Sequence, residues 1–562
     1  MRKILKTFLG GPLADQWRDF AAAWARVLEH GTSKVWFWFI ALLIGIGAGF
    51  AALGFRLGIE ALQAFLYRTD DISLLHSHAG SLPWYWILML PVFGGLVVGV
   101  ILNWFTPDGR VRSVGDVIEG AALGDGRVEQ RAGLGSALAS LITLSTGGSS
   151  GREGPVVHLA AVISTWVSRR IGADGVSGRD LLGCAVAGAV SASFNAPIAG
   201  ALFALEVVLR HFAVHAFAPI AIAAVAGTVI NRIEFGGVTE FALPAQGDMA
   251  FYVELPAFLI LGLVSGVVAV VLMRAIFLAD ELGNRVQKAV RLPRVLRPAF
   301  AGLLLGLLAI FFPHIIGVGY ETTSLALTGN LLLHDAVVFA VLKVVAVAIT
   351  MAGRMGGGVF SPSLMVGALT GLAFGIVVTA ILPEVSGTAT LYALAGMGAV
   401  AAAVLGAPIS TTLIVFELTG DWQTGLAVMA AVSLSSALAS RLVERSFFLT
   451  QLENRGIHLA AGPQAYLLST VRVAAEMRKL GDKGTMPEES LWLLVEDGIY
   501  IDGNATLDAA MAIFEQTNTA AIPVVTIGGE GVPPELWGAL HHVDALKAFN
   551  RALSATAAEE HS

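Results

Sequence analysis

The residues best placed to do chemistry lie in Gly147-Gly148-Ser149-Ser150-Gly151-Arg152-Glu153-Gly154-Pro155, followed at once by the apolar run Val156–Val167. Pro155 suits the first turn of a helix. The glycines let the backbone turn and expose its N–H groups. Free N–H groups and the helix dipole attract anions at a helix start. A carboxylate there, Glu153, can fill the anion site itself, compete with a mobile anion, and leave when protonated. The plainer reading is a helix N-terminal acid paired with Arg152 in a surface loop. A second cluster, Gly356-Gly357-Gly358-Val359-Phe360-Ser361-Pro362, again precedes an apolar run. Its plainer reading is a Gly-rich packing contact between helices.

The elements that must position these loops are apolar and short. Apolar stretches recur at roughly 36–55, 85–105, 131–146, 155–168, 180–192, 197–209, 213–231, 255–279, 298–315, 337–352, 363–383, 388–404, 408–418 and 424–441. Several fall short of the ~20 residues a simple span needs. Short apolar helices divided by Gly and Pro read as half-helices ending inside a membrane, which is tolerated only where protein or a watery cavity satisfies the free backbone groups. An internal repeat is present. Ala196-Pro197-Ile198 leads to Glu206 and Ala407-Pro408-Ile409 leads to Glu417, nine residues from proline to acid in both. Gly151-x-x-x-Pro155 and Gly358-x-x-x-Pro362 repeat at nearly the same offset, 207 against 211. Two inverted half-helix starts meeting at mid-membrane would make an anion pathway without a basic side chain.

Composition agrees. The chain has 562 residues, 56% hydrophobic and 14% charged, with 64 Gly and mean hydropathy +0.74. Charge usually runs near a quarter in soluble proteins, so a polytopic membrane protein is expected. The net charge of −7 excludes a strongly basic nucleic-acid binder. Residues 457–562 carry 14 acids and 6 bases, while the remainder carries 28 acids and 29 bases. The acidity belongs to a terminal soluble region and says nothing about the permeant ion. The lone Cys184 excludes a disulfide framework and a Cys-based metal site. His158 reads as a packed or water-facing residue rather than a ligand, and Trp36, Trp38, Trp84 and Trp86 as interfacial anchors. No zinc-protease motif, phosphate-binding loop or nucleophile elbow is present, so no enzyme, cofactor or metal is expected.

Four regions are expected: a cytoplasmic N-terminal segment 1–34 with more bases than acids, a first membrane repeat 35–240, a second repeat 241–456, and a cytoplasmic α/β domain 457–562. The basic residues before the first apolar run place the N-terminus inside. In the tail, a helix beginning at Leu507, strands at Ala520–Val525 and Leu536–Leu540, a Gly/Pro loop at Gly528–Pro534 and a last helix from Asp544 are expected. A looser copy is a helix Val471–Leu480 and a strand Leu491–Val495.

Gly151-Arg-Glu-Gly-Pro155, Phe194-Asn-Ala-Pro-Ile-Ala-Gly-Ala-Leu-Phe-Ala-Leu-Glu206 and Gly357-Gly-Val-Phe-Ser-Pro362 resemble, in order and spacing across about 110–450, the signature stretches of the CLC family of chloride channels and chloride/proton exchangers. The tail is similar to the CBS-domain pair that many members carry. The resemblance implies an all-α inverted-repeat bundle with broken helices, a homodimer, and one pathway per subunit for chloride or a similar monovalent anion. It makes Glu153 the proton-sensitive gate. The amides of Arg152, Glu153 and Gly154 would line an outer anion site. Those of Val359 and Phe360, with Gly358 beside them, would line a central one.

Three departures from the family pattern bear on mechanism. Anchored on Ile118-Glu119-Gly120, Ser113 falls on the family's chloride-favouring serine, but Arg112 and Val114 flank it and Asp116 replaces the usual proline. The plainer reading of Ser113 is a loop serine capping a helix. Phe448 stands where a tyrosine hydroxyl usually binds the central anion. Val207 stands where exchangers carry the inner proton-relaying glutamate, and the adjacent Glu206 points about 100° away on a helix. Val207 therefore favours passive, channel-like conduction, with proton-coupled exchange by an atypical path as the alternative. In the tail, His541 and Asp544 fall where nucleotide-binding CBS domains place a Ser/Thr and an Asp. Only Asp544 fits an adenine nucleotide, so a regulatory or dimer-stabilising role without ligand is the plainer expectation.

Overall fold

The computed structural model describes residues 12–560, apart from 70, 213, 238–240, 244–250, 384–385, 458, 460–467, 469–470, 483, 518 and 527–534, and without side chains at either end or at 214, 251 and 252. Among the described residues eight helices are long and apolar enough to cross a membrane. Between them run shorter apolar helices, Pro197–Leu209, Ala389–Leu405 and Pro408–Thr419.

The repeat legible in the sequence is a repeat of structure. In the first half a Gly-rich loop opens the helix Glu153–Ile171, which is followed by Gly175–Phe194 and Pro197–Phe203. In the second half the same order is Phe360–Ile381, Ala389–Leu405 and Pro408–Thr419. The middle helix of each triplet ends in a left-handed residue, Asn195 (φ 56°) and Gly406 (φ 69°). That turn stops a helix, and the Ala-Pro that follows starts the next one, with proline in its first turn.

Small residues bring the backbones together. Ala389–Leu405 is built almost wholly of Ala, Gly, Val, Leu and Met and is buried nearly all round. It packs on Phe360–Ile381, where a Cβ added at Gly371 would lie 2.1 Å from the carbonyl oxygen of Tyr392. Only glycine allows that approach, the usual way apolar helices associate where burial gives little drive. Long helices flank this core: Pro12–Tyr67, Trp84–Phe105, Phe251–Val290 and Trp422–Leu442. The first of these begins well before residue 35, so the expected boundary there is not a break in the helix.

The two A-P-I helices are braced reciprocally. The Glu206 carboxylate accepts from the backbone N–H of Ile409 (2.9 Å) and Ser410 (2.8 Å) and from the Ser410 hydroxyl (2.7 Å). The Glu417 carboxylate accepts from the N–H of Ile198 (3.1 Å) and Ala199 (2.8 Å). Each acid caps the helix start of the other half, where orphan N–H groups need acceptors.

The tail carries one four-stranded sheet, in the order Arg478–Lys479, Glu535–His541, Ala521–Thr526, Ile501–Asp502. The last pair is parallel and the other two are antiparallel. The helices Leu507–Thr517 and His542–Glu560 match the expected second half of the tail. Two expectations fail. Leu491–Val495 is not a strand but part of the helix Glu488–Glu496. It buries Leu491 as one face of an amphipathic turn, and a short apolar run is ambiguous between the two states. The helix expected over Val471–Leu480 is only Val473–Glu476, because Arg478 and Lys479 pair with Ala539 and Gly538. The loop Gly528–Pro534 lies outside the described residues.

Candidate functional site

The two Gly-rich loops meet. Gly151 and Gly358 exchange both backbone hydrogen bonds, each at 2.7 Å, as an isolated antiparallel bridge. The backbones pack closely there: a Cβ on Gly154 would lie 3.2 Å from the Cα of Gly358. Gly357 has φ +105°, and a Cβ on it would lie 2.0 Å from the Ser150 hydroxyl. Side-chain donors and acceptors tie the loops to their neighbours. Gly357 N–H donates to Ser140 Oγ at 3.1 Å, and Ser149 N–H donates to Thr350 Oγ1 at 3.1 Å.

Glu153 begins its own helix, yet its carboxylate serves the other half. The Ser361 hydroxyl donates to one oxygen, and the Ser361 N–H, in the first turn of Phe360–Ile381, reaches the other at 3.4 Å. The side chain is 3% exposed. A tethered carboxylate therefore sits at the N-terminus of the second-half helix, where free N–H groups and the dipole favour negative charge. The surface-loop reading does not hold: Arg152 is 5% exposed, its Nη2 donates to the Ser193 carbonyl at 3.1 Å, and its guanidinium lies 5.3 Å from the Tyr320 ring centroid.

A cavity of about 1040 Å³ opens beside this junction. It brings together Ser113, Glu153, Gly154, Gly358, Val359, Phe360 and Phe448, all singled out from sequence. Ser113 ends the loop before Val114–Leu123, and Phe448 lies in the short helix Phe447–Glu453. Phe360 packs on Phe194 and Phe203, with ring centroids 4.7 and 5.8 Å apart. Phe448 is 4% exposed and meets Phe447 edge-on. Val207 does not line this cavity. It is buried in a π-helical turn, Ala204–Leu209, that continues from Pro197–Phe203. His158 is buried against Gly133, as expected of a packed residue.

Sequence reasoning left three partners out. Ser361, the donor to Glu153, lay inside a motif already singled out. Asp116 stood out only as a missing proline, yet it accepts the Ser113 N–H at 2.7 Å and Arg455 Nη1 at 2.7 Å. Tyr320, over Arg152, left no local signal. In the tail, Asp544 accepts from Arg478 Nε at 2.6 Å, which holds its carboxyl below the usual range.

The model of the voltage-gated chloride channel family matches residues 94–440. A ClcB-like chloride channel protein of Ralstonia nicotianae is 35% identical over 396 residues, covering 70% of this chain and 91% of the relative. The voltage-gated ClC-type chloride channel ClcB of Escherichia coli O81 is 30% identical over 415 residues, 73% of this chain and 97% of the relative. Among solved structures, a slow cyanobacterial Cl−/H+ antiporter superposes with a TM-score of 0.64 at 20% identity, covering 75% of this chain and 97% of that one. A eukaryotic CLC transporter gives the same score at 16% identity, covering 90% and 97%. By the extent of the family match and the similarity to its relatives, the chain belongs to the CLC family of voltage-gated chloride channels.

Proposed function

We propose that this protein carries chloride across a membrane by passive conduction, with Glu153 as a proton-sensitive gate. The observation that carries the reading is the Glu153 carboxylate on Ser361, at the helix start of the opposite half. A carboxylate and a chloride compete for the same amides and hydroxyl. Protonating Glu153 removes its charge and frees the site. Gly154, Gly358, Val359 and Phe360 border the same cavity. The backbone amides of Gly154, Val359, Phe360 and Arg152, with the Ser113 hydroxyl, are the anion donors of this scheme, whereas the N–H of Gly358, singled out from sequence, is spent on the Gly151 carbonyl. Phe448 contributes only a ring edge, which weakens the central site. The N- and C-termini face the cytoplasm, and the protein works as a homodimer.

Passive conduction is favoured over exchange by the inner end of the route. Val207 has no proton to relay. Its neighbour Glu206 spends both oxygens on Ile409 and Ser410. The tail is a CBS-like regulatory domain that acts without a nucleotide, since Asp544 is engaged by Arg478.

The test is chloride efflux from liposomes with a simultaneous proton readout. Chloride leaves without stoichiometric proton uptake. Uphill proton movement driven by a chloride gradient would overturn conduction in favour of exchange.

A further inference from the structure

A second cavity sits where the membrane body meets water. The helix Trp84–Phe105 has 22 residues, roughly 33 Å at 1.5 Å per residue, which matches a hydrocarbon core of about 30 Å. Trp84 and Trp104, near its ends, are 62% and 68% exposed, as side chains at a membrane–water boundary are. Beside the Trp104 end, between this helix, the turn after it and the start of Arg297–Phe311, lies a cavity of about 100 Å³. Arg294, Arg297 and Arg354 line it, together with Asn103, Thr106 and Gln287.

The charge there is not balanced. Asp280 pairs with Arg297 at 2.9 Å. Arg354 donates to the Asn284 amide oxygen at 3.2 Å, which brings no charge. Arg294 is exposed and makes no ion pair among the described residues. Among the described residues, neither Arg294 nor Arg354 has a carboxylate at ion-pair distance, and the Asp280 contact goes to Arg297. Burial, then the neighbouring Arg297, pushes Arg354 down to about 10, with Asp280 and Asp108 opposing and Arg110 adding to the shift. The volume is far below the ~300 Å³ at which drug-sized ligands begin. Guanidinium forks suit tetrahedral and planar oxyanions.

We propose that this pocket binds a phosphate-class oxyanion at the membrane surface, presented as a lipid headgroup or as free phosphate. Arg354 also lines the central cavity. An anion on it would neutralise one of the cations facing that cavity and so slow anion entry.

The experiment uses the full chain in detergent and follows thermal unfolding with dioctanoyl phosphatidic acid, dioctanoyl phosphatidylcholine and inorganic phosphate. Phosphatidic acid raises the midpoint saturably, and phosphatidylcholine does not. Arg294→Gln and Asn103→Leu, each still folded, weaken the response about tenfold. A response to phosphatidic acid alone identifies the headgroup, and a matching response to phosphate identifies the free ion. No response to either probe, or an unchanged response in both variants, overturns the proposal. In phosphatidylcholine vesicles, added phosphatidic acid slows chloride flux about threefold through the wild type, the effect of one distant charge. It leaves Arg294→Gln unaffected. Equal slowing in both overturns the coupling to the central cavity.

Discussion

Asp116 Oδ1 lies 2.7 Å from Arg455 Nη1, while its other oxygen accepts the Ser113 N–H at 2.7 Å. One carboxylate thus joins the loop that presents Ser113 to the segment that leaves the last membrane helix for the tail. Arg112 Nε stands 3.8 Å away on the same side. The two cations shield a negative charge next to an anion route. Without them Asp116 would repel chloride; with them it can hold Ser113 in place as the usual proline would. The pair is mostly buried, with side chains 10% and 15% exposed.

Breaking that pair should therefore change both stability and selectivity. Asp116→Asn and Arg455→Gln each lose about 1–3 kcal/mol of unfolding free energy. Each also shifts the chloride-to-nitrate permeability ratio, read from reversal potentials. The double change Asp116→Asn with Arg455→Gln shifts the ratio no further than either change alone. Additive shifts would show that Asp116 acts on Ser113 without Arg455.

The reciprocal caps give a second prediction. Glutamine at Glu206 or Glu417 keeps one acceptor but turns an NH2 donor toward backbone N–H groups. Glu206→Gln and Glu417→Gln each destabilise by about 1–3 kcal/mol, seen as a lower unfolding temperature in detergent. Chloride flux through Glu206→Gln proceeds without stoichiometric proton movement, as through the wild type. A change in coupling with stability intact would make Glu206 a proton carrier.

These relationships divide what the sequence could tell from what it could not. Gly, Pro and small residues punctuate local backbone, so the loops at 147–155 and 356–362, the turns before Pro197 and Pro408, and the long apolar helices were legible, while the short helices Leu75–Ala79, Val114–Leu123 and Tyr320–Leu327 were not. The equal Pro-to-Glu spacing already implied that Glu206 and Glu417 were equivalent. That each caps the other half was not, because such a contact joins residues some two hundred positions apart and leaves no local pattern. Ser361, Tyr320 and Arg455 were unread for the same reason. The helix Glu488–Glu496 was misread because five apolar-rich residues do not fix a period.

The gate yields a third prediction. Glu153→Gln or Glu153→Ala removes the pH dependence of chloride flux, since nothing remains at Ser361 to titrate. Ser361→Ala keeps the carboxylate but deletes its hydroxyl donor, which is worth about 1–3 kcal/mol to a charged acceptor. The pH dependence survives in Ser361→Ala, with its midpoint moved upward, because the charged form is less well held. An unchanged pH profile in both Glu153 variants would argue against the gate.

The last prediction concerns two histidines away from the pathway. His76 and His314 lie with ring centroids 4.3 Å apart, and His314 stacks on Phe339 at 4.0 Å. Glu321 reaches His76 Nδ1 at 3.0 Å and also accepts the His76 backbone N–H at 2.8 Å. Burial pushes both imidazoles down to about 4, and at His314 the neighbouring His76 adds to it. A base with a lowered folded-state pKa takes up its proton more readily when unfolded. Stability from this cluster is therefore complete above about pH 6.5 and is lost as pH falls toward 4. Discounted for the solvent that reaches both rings, the loss is about 1–2 kcal/mol. Thermal unfolding between pH 7.5 and 4.5 measures most of it. His314→Phe keeps the stack on Phe339 and flattens the dependence. A profile as steep as the wild type's would place the titrating group elsewhere.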